Sequence, residues 1–277
     1  MGTTSFLTRA RGLLRIRNQL VRECLAELLS TFVLIIITLS SSAQKITSFE
    51  TKGDLVTTYL AGALAVMVGI YIAGGISGAH MNPAFSLAMC LLEQLPWWKL
   101  PIFAVVQTLG AFISSGAVYL LYYGMEEQHW ARKSHSDAGV ARLMDMLCLC
   151  PPDAIWYYSN GTLTVSGPRE TASIFATYPA DYVSIGNGFL DQVIGTGAVI
   201  LGVMGIMDTR NKGVPKGMEP PIVALLILSI ECAMAANCGC PLNPARDFGP
   251  RLFTYVAGWG PEVFRCVEGR GQSGKGR

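Results

Sequence analysis

Charge is scarce in this 277-residue chain: Asp, Glu, Lys and Arg together make up 14% of it, against about 25% in a typical soluble domain. A soluble fold needs charge to cover its surface, so the shortage argues against an ordinary cytosolic enzyme. What charge there is nearly cancels, with a formal net of +2, which excludes the basic footprint of a nucleic-acid binder. Histidine is scarcer still, with three residues. The eight cysteines include the pairs Cys148-Leu-Cys150 and Cys238-Gly-Cys240, but neither has the C-x-x-C spacing of common zinc sites or a nearby His. No metal site is expected. No Ser-His-Asp set and no phosphate-binding loop is visible, so an enzyme is not expected either. Apolar residues are plentiful instead, at 51%, together with 30 glycines. Excess Gly in an apolar chain suits close helix packing in a bilayer.

Crossing a bilayer takes about 20 apolar residues. Five stretches qualify, at approximately 24–43, 55–76, 101–123, 189–207 and 221–237. Two shorter apolar stretches, 83–92 and 244–257, each follow an Asn-Pro-Ala triplet: Asn82-Pro83-Ala84 and Asn243-Pro244-Ala245. Basic residues mark cytoplasmic loops. Arg9, Arg11, Arg15, Arg17 and Arg22 precede the first span, and Arg210, Lys212 and Lys216 follow the fourth. These segments alternate with 124–188, where acids outnumber bases. The N-terminus is therefore expected in the cytoplasm. The sequon Asn160-Gly161-Thr162 falls in the expected outer loop, where a glycosylation acceptor belongs. Residues 9–43 resemble a signal peptide in outline, but the apolar core is too long and Glu27 interrupts it, so no cleavage is expected.

The two halves echo each other. Glu27-Leu-Leu-Ser-Thr31 and then Ser77-Gly-Ala-His-Met-Asn-Pro-Ala84 in the first half answer Gln192-Val-Ile-Gly-Thr196 and then Asn237 to Ala245 in the second. Three spans precede the long loop, so the second half starts from the opposite side. That is an inverted repeat, a common plan for membrane transport folds. Asn is a good helix N-cap and Pro is tolerated at the first helical position, so each triplet should open a half-helix. A half-helix N-terminus at membrane depth projects positive potential, and irregular backbone survives there only where it is buried in protein or lines a polar cavity. Two opposed half-helices therefore imply a central polar pore that resists cations.

The loops Ser77 to Ala84 and Asn243-Pro-Ala-Arg-Asp-Phe-Gly-Pro250 resemble the signature loops of the aquaporin family. Asp247 after the Arg, with Arg251 four residues on, resembles the aquaglyceroporin branch, as does Glu170 to Pro179. The resemblance implies an all-α membrane protein: an inverted-repeat bundle with two re-entrant half-helices and six spans, of which five are visible. It implies a passive, cofactor-free channel for glycerol, water and other small neutral solutes, with urea as a further candidate. It also implies a homotetramer embedded in the plasma membrane, without nucleic-acid partners. By motif match, Asn82, Pro83, Ala84, Asn243, Pro244 and Ala245 form the pore midpoint. Gly62, Glu231, Cys240 and Arg246 occupy the selectivity filter, and Asp247 and Arg251 mark the branch. Glu27 and Gln192 are expected as structural polar groups, and His80 as a pH-sensor candidate whose competing role is to hold the loop.

One channel domain is expected over 1–277: a cytoplasmic 1–23, a first repeat 24–123, an outer loop 124–188, an incomplete second repeat 189–257, and a polar tail 258–277. Three departures from the family stand out. Glu231 replaces a small filter residue, and an intramembrane acid tends to find a partner; pairing with Arg246 is the expectation. Residues 125–158 look inserted. From Arg265 the chain is polar and Gly-rich where the family has a sixth span, so the alternative to the channel reading is a truncated, non-conducting variant that interferes with full-length subunits.

Overall fold

A computed structural model describes residues 15–122 and 154–265. The described residues form helices and turns without strands. The long helices are α1 (Gln19–Thr47), α2 (Leu55–Ala73), α4 (Lys99–Tyr122), α6 (Ile185–Met207) and α7 (Glu219–Cys238). Between them lie α3 (Pro83–Leu91), a short α5 (Ala154–Ser159) and α8 (Pro244–Thr254). The five long helices are apolar enough to cross a membrane, with mean hydropathy of 1.6 to 2.0 over their best 18 residues. Leu120, Leu201 and Val256 project outward about 70% exposed. Such a surface would aggregate in water and fits lipid.

Several helices start where the sequence supplies a side-chain cap. The Asn18 side chain accepts from the Val21 amide at 3.2 Å, and Ser184 accepts from Asn187 at the same distance. Asp54 and Thr57 form a reciprocal box at the head of α2, at 2.8 and 2.6 Å. Capping satisfies amides that a helix start otherwise leaves orphaned. Helix α7 carries Pro220 in its first turn and closes on Gly239, which takes the left-handed conformation at φ +73°; Gly is the residue that adopts it at little cost.

Helix α1 packs on α2 and α4, α7 packs on α2 and α6, and α8 packs on α4. Small residues permit these approaches. A methyl group on Gly110 of α4 would lie 2.7 Å from the Leu28 carbonyl oxygen of α1. One on Gly249 of α8 would lie 2.8 Å from the Thr108 carbonyl oxygen of α4. The main core gathers Ile35, Leu39 and Val118 with Ile174, Phe175, Trp259 and Val263.

The chain stays packed where the polar tail is expected to begin. Trp259 is buried and donates to Thr171 Oγ1 at 3.1 Å, and Val263 is fully buried in a short 3-10 turn. The end of the inserted-looking stretch is also structured: Ile155 of α5 is fully buried. The rest of that stretch, 125–153, lies outside the described residues, as does the expected polar tail over 266–277.

Candidate functional site

Both triplets do what their residue types dictate. Asn82 Oδ1 accepts from the amides of Ala84 and Phe85 at 2.9 and 3.4 Å, with Pro83 at the first position of α3. Asn243 Oδ1 accepts from Ala245 and Arg246 at 3.0 and 3.2 Å, with Pro244 opening α8. The two helix starts then meet. Asn82 Nδ2 donates to the Leu242 carbonyl at 2.9 Å, and Asn243 Nδ2 donates to the Met81 carbonyl at 2.7 Å. Each carboxamide therefore caps its own half-helix and ties it to the opposite loop.

The loops entering the triplets share an unusual backbone. Ala79 and Met81 have φ of +51° and +50°, and Cys240 and Leu242 have φ of +58° and +45°. These are the residues three and one before each Asn. Non-Gly residues in this region cost free energy and persist only where the surroundings over-determine them. In the first half the anchor is Glu27, fully buried. Its Oε1 accepts from Ser77 Oγ at 2.5 Å and the His80 amide at 2.9 Å, while Oε2 accepts from the Met81 amide and Gln107 Nε2, both at 2.8 Å. In the second half Gln192 Oε1 accepts from the Leu242 amide at 3.3 Å. Gln192 is oriented by Asp191, which also accepts from Asn237 at 2.9 Å. Gln107 belongs to no motif in the sequence; its signal is a polar side chain within an apolar span. His80 packs edge-on against Phe85 and Phe103 and places Nδ1 3.0 Å from Ser86 Oγ.

Asp247 and Arg251 act as a brace. Arg251 Nε donates to Asp247 Oδ2 at 2.6 Å and Nη1 to the Val263 carbonyl at 2.6 Å, while Nη2 donates to the Thr177 carbonyl. Asp247 Oδ1 accepts from the Thr177 amide at 3.1 Å. The pair fixes the 170–182 loop over α8, and Arg246 Nη1 reaches the Phe175 carbonyl of that loop at 3.5 Å.

A cavity of about 1480 Å³ runs past these groups. Its wall extends from Leu55 at the start of α2 to Gly74 beyond its end, a rise of roughly 28 Å. Asn82, Asn243, Gly62, Glu231, Cys240 and Arg246 all line it, while Pro83, Ala84, Pro244 and Ala245, also expected at the midpoint, are not among its lining residues. Asp208 also lines the cavity, and the Arg210 backbone amide, then its side chain, holds the Asp208 carboxyl below the usual carboxylate range. One expectation fails. Glu231 does not pair with Arg246: among the described residues no ion pair joins them. Glu231 faces Gly62 instead, where a methyl group would lie 3.5 Å from its Oε1. Asn160 is exposed in a turn after α5 at φ +53°, and its side chain accepts from Arg169.

The sequence matches the major intrinsic protein family over residues 15–261. Aquaporin-10 of Homo sapiens is 55% identical over 258 residues, covering 93% of this chain and 76% of its own length. Aquaporin-9 of Homo sapiens is 41% identical over 251 residues, covering 91% and 75%. Among solved structures, the aquaglyceroporin from Plasmodium falciparum superposes with a TM-score of 0.67 at 25% identity, covering 90% of this chain and 86% of that one.

Proposed function

This chain belongs to the major intrinsic protein family, and from that membership we propose that it is a passive pore for glycerol and water, with urea as a further solute. It is a multi-span membrane channel protein and not an enzyme. The observation that carries the reading is the meeting of two half-helix starts through Asn82 and Asn243 within one passage. Each carboxamide has two N–H groups. One holds the opposite loop, and the other is available to a passing solute oxygen. The converging positive helix ends and Arg246 oppose cations. Gly62, Cys240, Glu231 and Arg246 form the filter, Glu27 and Gln192 hold the loops, and His80 is the candidate through which pH acts on the inner loop. The channel works as a homotetramer in the plasma membrane, with its N-terminus cytoplasmic and Asn160 glycosylated outside.

The test is glycerol uptake by vesicles holding the purified protein, compared with Asn82→Leu and Asn243→Leu. The reading expects wild-type uptake above that of empty vesicles and at least about a tenfold loss in each variant, the scale of one lost hydrogen bond in a dry site. Equal uptake in all three would contradict it.

A second reading has its own observation. Of the 23 residues of α6 only Gly195 is buried, which leaves a flank open to a neighbouring helix. A non-conducting subunit that enters tetramers of other family members would use that flank. Co-expression with a full-length homologue should then lower that channel's flux and surface delivery, and no change in either would rule the reading out.

A further inference from the structure

Glu231 has no counterpart to the anchoring of Glu27. Its Oε2 is buried without a hydrogen-bond partner, and no ion pair reaches the carboxyl group among the described residues. Its neighbours are otherwise engaged. The Thr38 hydroxyl, 3.8 Å from where a Gly62 methyl would stand, donates to the Leu34 carbonyl at 2.8 Å. The Cys240 thiol is turned toward the Ile230 carbonyl at 3.9 Å. Across the same passage, the Arg246 guanidinium makes one long contact, 3.5 Å, to the Phe175 carbonyl. A guanidinium can only donate hydrogen bonds, whereas a carboxyl oxygen can accept them. The filter thus has two unlike ends, not joined to each other, each short of a partner.

We propose that Glu231 is a specificity-determining residue that, with Arg246, forms a two-ended clamp for a small planar amide of the urea class. The amide carbonyl accepts from Arg246 and the amino group donates to Glu231. An amide carries its acceptor and donors at opposite ends of a rigid frame, so it meets both groups without ordering rotors. A polyol meets them only by fixing several hydroxyl and carbon–carbon torsions, which costs conformational freedom. A site built around a fixed polar group also rejects solutes that leave the group unpaired. Gly62 opposite leaves room for the carboxyl group: any side chain there would touch it.

This inference rests on the channel reading, and one set of measurements separates the two. Light-scattering permeabilities to water, glycerol, urea and acetamide are compared in vesicles holding wild type, Glu231→Gln and Glu231→Gly. The clamp predicts that the urea-to-glycerol ratio falls about tenfold in Glu231→Gln, where an amide donor replaces one acceptor oxygen, the scale of one hydrogen bond. In Glu231→Gly the ratio falls likewise and glycerol flux rises. A ratio unchanged in Glu231→Gln, with all solutes rising together in Glu231→Gly, would make Glu231 a plain steric plug and overturn the proposal. In wild type alone, acetamide should slow glycerol flux by competing for the clamp, and no slowing would overturn the proposal without recourse to a variant. Wild-type vesicles as tight as empty ones to every solute, water included, would overturn the channel reading and the clamp with it.

Discussion

Glu27 accepts four hydrogen bonds, three from a loop that bends through unfavourable backbone angles and one from Gln107 of α4. Replacing it with Leu removes the acceptors while leaving the amides of His80 and Met81 buried. The expected cost is about 3 kcal/mol, the scale of a few orphaned donors, read as a fall in thermal unfolding temperature in detergent. Its role was legible in the sequence, because an acid inside an apolar span needs a partner and the Ser77–Ala84 loop supplied donors. Gln107 was not legible: a single amide in an apolar helix carries no partner in its own neighbourhood, and its contacts with Glu27 and Ser86 exist only after α1, α3 and α4 assemble. Glu231 shows the same limit. The pattern placed it in the filter, but whether it turned toward Arg246 or Gly62 depended on the rotation of α7 against α2.

Hydropathy located all five long helices, because a bilayer demands continuous apolar length. Their ends were less legible. Helix α1 runs from Gln19 to Thr47 where the apolar run covers 24–43, since polar residues such as Arg22 and Lys45 continue the helix beyond the hydrocarbon. The turns at 172–174 and 255–264 carry no apolar period, and Trp259 and Val263 reveal their packing only through tertiary contacts. Close helix contacts make their own prediction. Gly249→Val should push α8 away from α4, where even a methyl meets Ala111 and Thr108 at 2.8 Å. Overpacking of this kind costs about 1–3 kcal/mol, and it should appear as lower thermal stability together with lower solute flux. Gly205, with open space around it, serves as the control, and Gly205→Val should leave stability near wild type.

At the scale of the whole molecule, the inverted repeat was legible because the Asn-Pro-Ala triplet appears in both halves and each has a physical task. The reciprocal Asn82–Leu242 and Asn243–Met81 bonds add what the pattern alone did not contain: each half closes the other's loop. The orientation assigned from loop charge makes a direct prediction. When the chain is inserted into microsomes, Asn160 should acquire a glycan that endoglycosidase removes, and Asn160→Gln should abolish the mobility shift. A protected N-terminus, or protease cleavage of the 170–182 loop from the cytosolic side, would reverse the topology. The central claim concerns permeation through the passage between the two half-helices. Its most direct test is stopped-flow glycerol permeability of proteoliposomes holding the wild-type chain at known density, against protein-free vesicles of the same lipid. Permeability that rises in proportion to protein density is the predicted result. Permeability indistinguishable from bare lipid, with the protein shown to be inserted, would contradict the account.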